Sequence, residues 1–268
     1  MSILRLEKSN PMYSPDNTCT LTVHSSHLGR RHDISIYNVN AKGNDLPVII
    51  LLHGVYGNHW VWMQLGGVHL AYEKVKAESG ISDFVLVMPS DGGLLDGSAY
   101  LPLAQGNYEQ WIMDDVIAAV TQSLAQVSVN SRLYITGLSM GGYGALRLGG
   151  KFAQRFNGVA AHSSITELSD LRYFVKTPLS NYDCADSNEG NIVYWMEKNK
   201  DILPPLQFDC GSDDILFKSN CRFNESLTAL GVEHQFEIFD GGHEWPYWHQ
   251  HVQRDFLFFS KIEETFLR

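Results

Sequence analysis

The 268-residue chain contains no run close to the roughly 20 apolar residues of a membrane span, so no spanning helix is expected. Its opening residues, Met1-Ser2-Ile3-Leu4-Arg5-Leu6-Glu7-Lys8, hold no apolar stretch long enough for a secretory signal. Cysteine is sparse. Cys19, Cys184, Cys210 and Cys221 are widely spaced and form no Cys-x-x-Cys pair, which favours reduced thiols and a cytoplasmic setting. Basic residues are few, 20 Lys and Arg against 30 Asp and Glu, for a formal charge of −10. Nucleic-acid binding needs clustered cations to displace counterions, so neither nucleic acid nor membrane is an expected partner. No Ser/Pro-rich linker, charge block or repeat divides the chain, and one domain spanning 1–268 is expected, with 44% hydrophobic residues to build its core.

What is present is an alternation of strand and helix signals. Residues 20–24 and 33–39 alternate in polarity, as an opening antiparallel pair would. Residues 47–52 and 84–89 are continuously apolar, which suits strands buried on both faces. Residues 66–79 and 109–127 carry helical spacing, the latter through Ile112, Val116, Ala119, Val120, Leu124 and Val127. Strand signals recur at 133–136, 157–161, 206–209 and 235–239, with helices between them and an amphipathic helix over 256–266. Residues 163–204 break this rhythm. They are polar and irregular, with helical stretches near 168–175 and 191–200, and read as a cap-like excursion over the carboxyl edge of the sheet. The pattern predicts an α/β fold with a mostly parallel sheet covered on both faces.

Gly137-Leu138-Ser139-Met140-Gly141 follows one of these strands and opens a helix rich in small residues. Gly-x-Ser-x-Gly at a strand-to-helix turn is a nucleophile elbow, in which a tight turn exposes the serine hydroxyl. A serine hydroxyl needs a base within hydrogen-bond reach and an acid to orient that base. His243, in Asp240-Gly241-Gly242-His243 after the last strand, is the candidate base. Asp209, Asp213 and Asp214 are candidate acids. Asp209 sits on a strand and ranks last; one of the other two is expected to cap the helix near Leu216, and spacing from Gly211 does not separate them. Donors for a developing oxyanion are expected at the backbone N–H groups of Met140 and of Val55, the latter on the loop after the strand at 47–52.

Four segments in this order, LLHGVYGNHWVW (51–62), GLSMGGYGALRL (137–148), CGSDDILF (210–217) and GGHEWPYW (241–248), resemble the esterase family of α/β-hydrolases. That family includes tributyrin-type carboxylesterases, feruloyl and acetyl-xylan esterases, S-formylglutathione hydrolase and the mycolyltransferases. The resemblance covers about residues 47–248. It implies Ser139 as nucleophile, His243 as base and Asp214 as acid, the last from a Gly-x-x-Asp spacing. It also supports the Val55 and Met140 donors. Two departures bear on substrate: Tyr143 stands where the formylglutathione hydrolases tend to carry histidine, and their Ser-Gly-Leu segment is His53-Gly54-Val55 here.

The expected activity is that of a serine carboxylesterase acting on short-chain acyl esters through an acyl-enzyme. Alternatives are a thioester hydrolase acting on S-formylglutathione, a feruloyl or acetyl-xylan esterase, an acyltransferase, and an inactive hydrolase fold used for binding. Trp60, His162 and Trp245 are candidate substrate contacts. No cofactor is expected. His243, His249 and His251 lack the spacing of a metal site. Asp114-Asp115 reads as a helix start, where carboxylates suit the dipole. A homo-oligomer is compatible with the sequence, which carries no signal for one.

Overall fold

A computed structural model describes residues 2–266. The chain opens with β1 (Ile3–Lys8), β2 (Thr18–Ser25), β3 (Arg30–Tyr37) and β4 (Val48–Leu52), then α1 (Val61–Gln64), α2 (Val68–Ser79) and β5 (Val85–Pro89). A small ribbon, β6 (Pro102–Leu103) and β7 (Gly106–Asn107), leads into α3 (Tyr108–Gln110), a π-helical stretch Trp111–Val116 and α4 (Ile117–Ser123). There follow β8 (Leu133–Gly137), α5 (Met140–Lys151), β9 (Gly158–His162), α6 (Ile192–Lys198), β10 (Leu206–Gly211), α7 (Phe217–Ala229), β11 (Gln235–Phe239) and α8 (Trp245–Phe266). Nine strands form one sheet in the order β1-β2-β3-β5-β4-β8-β9-β10-β11. The first three strands and β5 pair antiparallel; from β5 to β11 every pairing is parallel. Among the described residues no helix is long and apolar enough to cross a membrane.

The core follows from the two-residue period of a strand. In β4, Val48, Ile50 and Leu52 face one layer, with Val116, Val120, Ala145 and Leu146 packed against them. Ile49 and Leu51 face the other, with Tyr72 and Val75 of α2 and Phe256 and Phe259 of α8. Both faces are therefore apolar, which is why β4 and β5 read as unbroken hydrophobic runs. β4 lies between β5 and β8, where the strand order reverses, and its end pairs Leu52 with Gly137 of β8. Carboxyl-end loops at such a reversal open a crevice, and here they are 53–57 and 138–139.

Some elements differ from the sequence expectation. β1 carries no alternating signal because it is an edge strand with only Ile3 and Leu6 half-buried. The helix expected over 66–79 starts at Val68, because Gly67 takes φ +58° and caps it from outside. The helix expected over 109–127 is π-helical in its middle and ends at Ser123; Leu124 turns to extended backbone. Asp115 is not at a helix start but fully buried in the π stretch, accepting the Ser25 hydroxyl, and Asp114 lies 3.4 Å from His27 Nε2. The last helix begins at Trp245 rather than Phe256. In the excursion, the stretch near 168–175 is a 3-10 turn, Leu168–Tyr173. α5 anchors this segment: the Tyr143 hydroxyl donates to the Gly190 carbonyl at 2.8 Å, and Arg147 and Lys151 share Glu109 and Glu189 in a buried ion-pair cluster.

Candidate active site

Ser139 sits between β8 and α5 with φ +55° and ψ −119°, a conformation that non-glycine residues rarely hold. The surrounding backbone imposes it. The Ser139 N–H donates to the His162 carbonyl at 3.0 Å, and the Ser139 carbonyl accepts from Tyr143 and Ile165, both at 3.1 Å. The elbow's second glycine is required by space: a Cβ on Gly141 would run into the Leu52 carbonyl at the end of β4. Gly141→Ala is accordingly expected to cost about 3 kcal/mol, the upper range for overpacking, read as a lower denaturant midpoint; an unchanged midpoint would contradict this close approach.

The His243 side chain comes from the short loop between β11 and α8. Its Nε2 lies 3.0 Å from Ser139 Oγ, and its Nδ1 lies 3.1 and 3.0 Å from the two Asp214 carboxylate oxygens. A carboxylate only accepts, so Nδ1 carries the proton and Nε2 is left to accept from the serine hydroxyl. Asp214 is buried, and its Oδ1 also accepts the Leu216 N–H at 2.8 Å. One residue thus both faces the imidazole and caps the turn into α7, two tasks the sequence reading had assigned to different aspartates. Asp213 is exposed to solvent. Asp209 points elsewhere, into a network described below.

The loop after β4 lies against the serine. A Cβ on Gly54 would come within 3.2 Å of Ser139 Cβ. Among the described residues, neither the Val55 nor the Met140 N–H donates to a protein acceptor. His53 braces this loop, a role the sequence reading missed. Its Nε2 accepts the Asp91 N–H at 3.0 Å, which leaves Nδ1 to donate to the Gly54 carbonyl at 2.8 Å. The Tyr100 hydroxyl donates to the His53 carbonyl at 2.8 Å, and the Tyr56 N–H donates to the Asp96 backbone carbonyl at 2.8 Å.

The three candidate substrate contacts fare differently. Trp245 packs edge-on against Trp62 and Trp248, and Trp248 meets His243 at 5.0 Å and 89°. Trp60 is exposed at the start of α1. His162 has no surface to offer a substrate: it is fully buried, with Nδ1 2.9 Å from Asp209 and Nε2 2.8 Å from Asp255. Two carboxylates on one ring require a proton on each nitrogen. Burial alone would lower the pKa of His162, but Asp209 and Asp255 outweigh it and raise it to about 10. Tyr247 and Arg254 donate to Asp209, and Thr136 and Gln207 donate to Asp255. This network fastens β8, β9, β10 and α8 beneath the serine. A group whose folded pKa is raised contributes fully below the unfolded value of 6.5 and loses its contribution as pH rises through about 10. Stability is therefore expected to fall between pH 7 and 10 more steeply in the wild type than in His162→Gln; parallel pH profiles of the denaturant midpoint would contradict it.

The other histidines raised by the sequence are occupied structurally. His249 Nδ1 bonds the Gly66 carbonyl at 2.8 Å, and His251 stacks on Phe239 at 4.3 Å. A 370 Å³ groove bordered by Val48, Val129 and Arg132 lies at the opposite, amino-terminal edge of the parallel strands, and Ser139, His243, Asp214 and Val55 do not line it.

The fold is that of an α/β-hydrolase, with Asp214, His243 and Ser139 in a hydrogen-bonded chain at the carboxyl end of its parallel strands. Residues 25–259 match the family described as "Putative esterase", and the chain belongs to that family of carboxylic ester hydrolases. It is 24% identical over 246 residues to the acetyl esterase of Caldicellulosiruptor saccharolyticus, covering 85% of this chain and 88% of that one. A ferulic acid esterase structure superposes with a TM-score of 0.79 at 26% identity, over 91% of this chain and 98% of the other. The fluorophosphonate-binding serine hydrolase F of Staphylococcus aureus gives 0.76 at 22%, again over 91% and 98%.

Proposed function

We propose that the protein hydrolyses short-chain acyl esters with Ser139 as nucleophile, His243 as general base and acid, and Asp214 as the group that orients His243 and stabilises its imidazolium. The observation that carries this is the 3.0 Å approach of His243 Nε2 to Ser139 Oγ with Asp214 on the far nitrogen. In the proposed cycle the ester carbonyl oxygen takes the Val55 and Met140 N–H groups. Ser139 Oγ bonds to the carbonyl carbon as its proton passes to His243 Nε2. The C–O bond to the alcohol breaks, and the alcohol leaves with that proton. Water then attacks the acyl-enzyme, His243 taking its proton and returning one to Ser139, and the carboxylic acid departs. The free donors at Val55 and Met140 support the oxyanion assignment, since such donors must be fixed in place and not already engaged.

Short acyl groups are favoured by the enclosure of the nucleophile. Ser139 is only 2% exposed, and Phe174 and Trp248 crowd its base. Residues 163–204 act as a cap in this reading, a role that the anchoring of Gly190 to α5 supports. A cytoplasmic setting is part of the proposal, supported by four free thiols at Cys19, Cys184, Cys210 and Cys221. A p-nitrophenyl series from acetate to octanoate, run beside S-formylglutathione and feruloyl esters, tests the substrate class. The expected result is a kcat/KM highest for acetate or butyrate and at least tenfold lower for octanoate. A preference for octanoate, or for the thioester over every oxygen ester, would overturn the short-chain ester reading.

A further inference from the structure

The His243 ring is held on more sides than its two nitrogens. Phe174, from the excursion, stacks on it with centroids 4.8 Å apart and planes inclined by 27°, while Trp248 of α8 meets it edge-on. Phe174 is itself placed by its backbone. Its N–H donates to the Leu171 carbonyl at 2.9 Å, and its carbonyl accepts the Tyr56 hydroxyl from the loop that carries Val55. The neighbouring Val175 is buried, so the chain is pinned on both sides of the ring.

We propose that Phe174 is a positioning residue for the base: its ring fixes the plane of the His243 imidazole and stabilises the imidazolium formed when Ser139 gives up its proton. The inference rests on the triad reading above. An aromatic face carries negative quadrupole density, so it attracts a cation far more than a neutral ring. The stacking therefore strengthens as the proton arrives at Nε2, in the transition state rather than in the resting enzyme, and such interactions raise kcat. The Tyr56–Phe174 bond ties this support to the oxyanion loop.

Asp214 is in contact with His243, and the elements that carry or pack against the ring hold Asp213, Asp240 and Glu244 on the adjoining loops, Arg172 and Lys176 flanking Phe174, and Tyr247, His251 and Arg254 on α8. Phe174→Leu alters none of them. Leucine keeps apolar bulk against the imidazole and removes only the aromatic face; Phe174→Tyr keeps the face. The test is the pH dependence of kcat/KM for p-nitrophenyl acetate. In Phe174→Leu, kcat is expected to fall about three- to tenfold and the acid limb to move down by about half a pH unit, because the imidazolium has lost its partner. KM should stay within about twofold, and Phe174→Tyr should follow the wild type. Tyr56→Phe, at an exposed side chain, loosens Phe174 without removing it and is expected to move kcat and the limb in the same direction by less. The inference is overturned if the acid limb of Phe174→Leu superposes on that of the wild type, if only KM changes, or if Phe174→Tyr is as impaired as Phe174→Leu. Retained activity in His243→Ala would instead sink the triad reading, whatever position 174 does.

Discussion

Ser139→Ala is expected to lower kcat for p-nitrophenyl acetate by about 10⁴-fold or more, with little change in KM and a folded, cooperatively unfolding protein. The magnitude follows from what remains. Binding and the oxyanion donors alone leave enzymes of this kind roughly 10³–10⁴-fold over water, and removing the nucleophile forfeits the rest. The backbone of the elbow does not depend on the hydroxyl, because the Ser139 N–H and carbonyl are engaged by His162, Tyr143 and Ile165. The variant should therefore lose turnover and keep its structure. Loss of less than tenfold would mean that another nucleophile carries the reaction.

The second large effect separates two adjacent aspartates. Asp214→Asn is expected to cut kcat by about 10³–10⁴-fold, and Asp213→Asn to leave it within about twofold. The amide can present an N–H where the carboxylate accepted one, so the His243 tautomer is no longer dictated and the imidazolium loses its counter-charge. Asp213 is exposed and contributes its N–H to the Gly241 carbonyl at 3.0 Å, a backbone contact that asparagine preserves. Comparable losses in both variants, or the larger loss in Asp213→Asn, would assign the acid differently. Asp214→Asn should also destabilise slightly, since Asp214 Oδ1 holds the Leu216 N–H at the entry to α7; an amide oxygen can still accept that N–H, so the loss is of the charge assistance, about 1 kcal/mol.

These residues differ in how far the chain itself announced them. The elbow was legible because its geometry forbids side chains: Gly141 presses on the end of β4, and few residue patterns meet that demand. β4 and β5 were legible because burial on both faces leaves no polar position in either strand. β1 was not, since an edge strand facing solvent needs no apolar alternation. The choice between Asp213 and Asp214 turns on which side chain rotates inward after Gly211, and nothing in a one-residue spacing fixes that rotation.

His162 was misread for a related reason. A strand-end histidine close to an elbow can point toward the crevice or beneath it, and only its neighbours decide. One signal was available in principle: β9 and β10 are consecutive parallel strands, and their register sets His162 opposite Asp209. Two such residues across a parallel ladder pair more readily with each other than with a ligand. Phe174 left no signal at all. It lies in an irregular segment without period, and it is held by the Tyr56 hydroxyl on its carbonyl, a contact between residues more than a hundred positions apart. That is a property of the folded chain.

The most direct measurement of the central claim is the site of covalent capture. Folded protein treated with a fluorophosphonate at pH 8 should gain the mass of one adduct, and peptide mapping should place it on Ser139. His243→Ala should label far more slowly, because the hydroxyl then has no base. A single adduct on Ser139 that tracks the loss of esterase activity is the predicted result. Full inactivation with the adduct on another residue, or continued ester hydrolysis by protein fully modified at Ser139, would contradict the account.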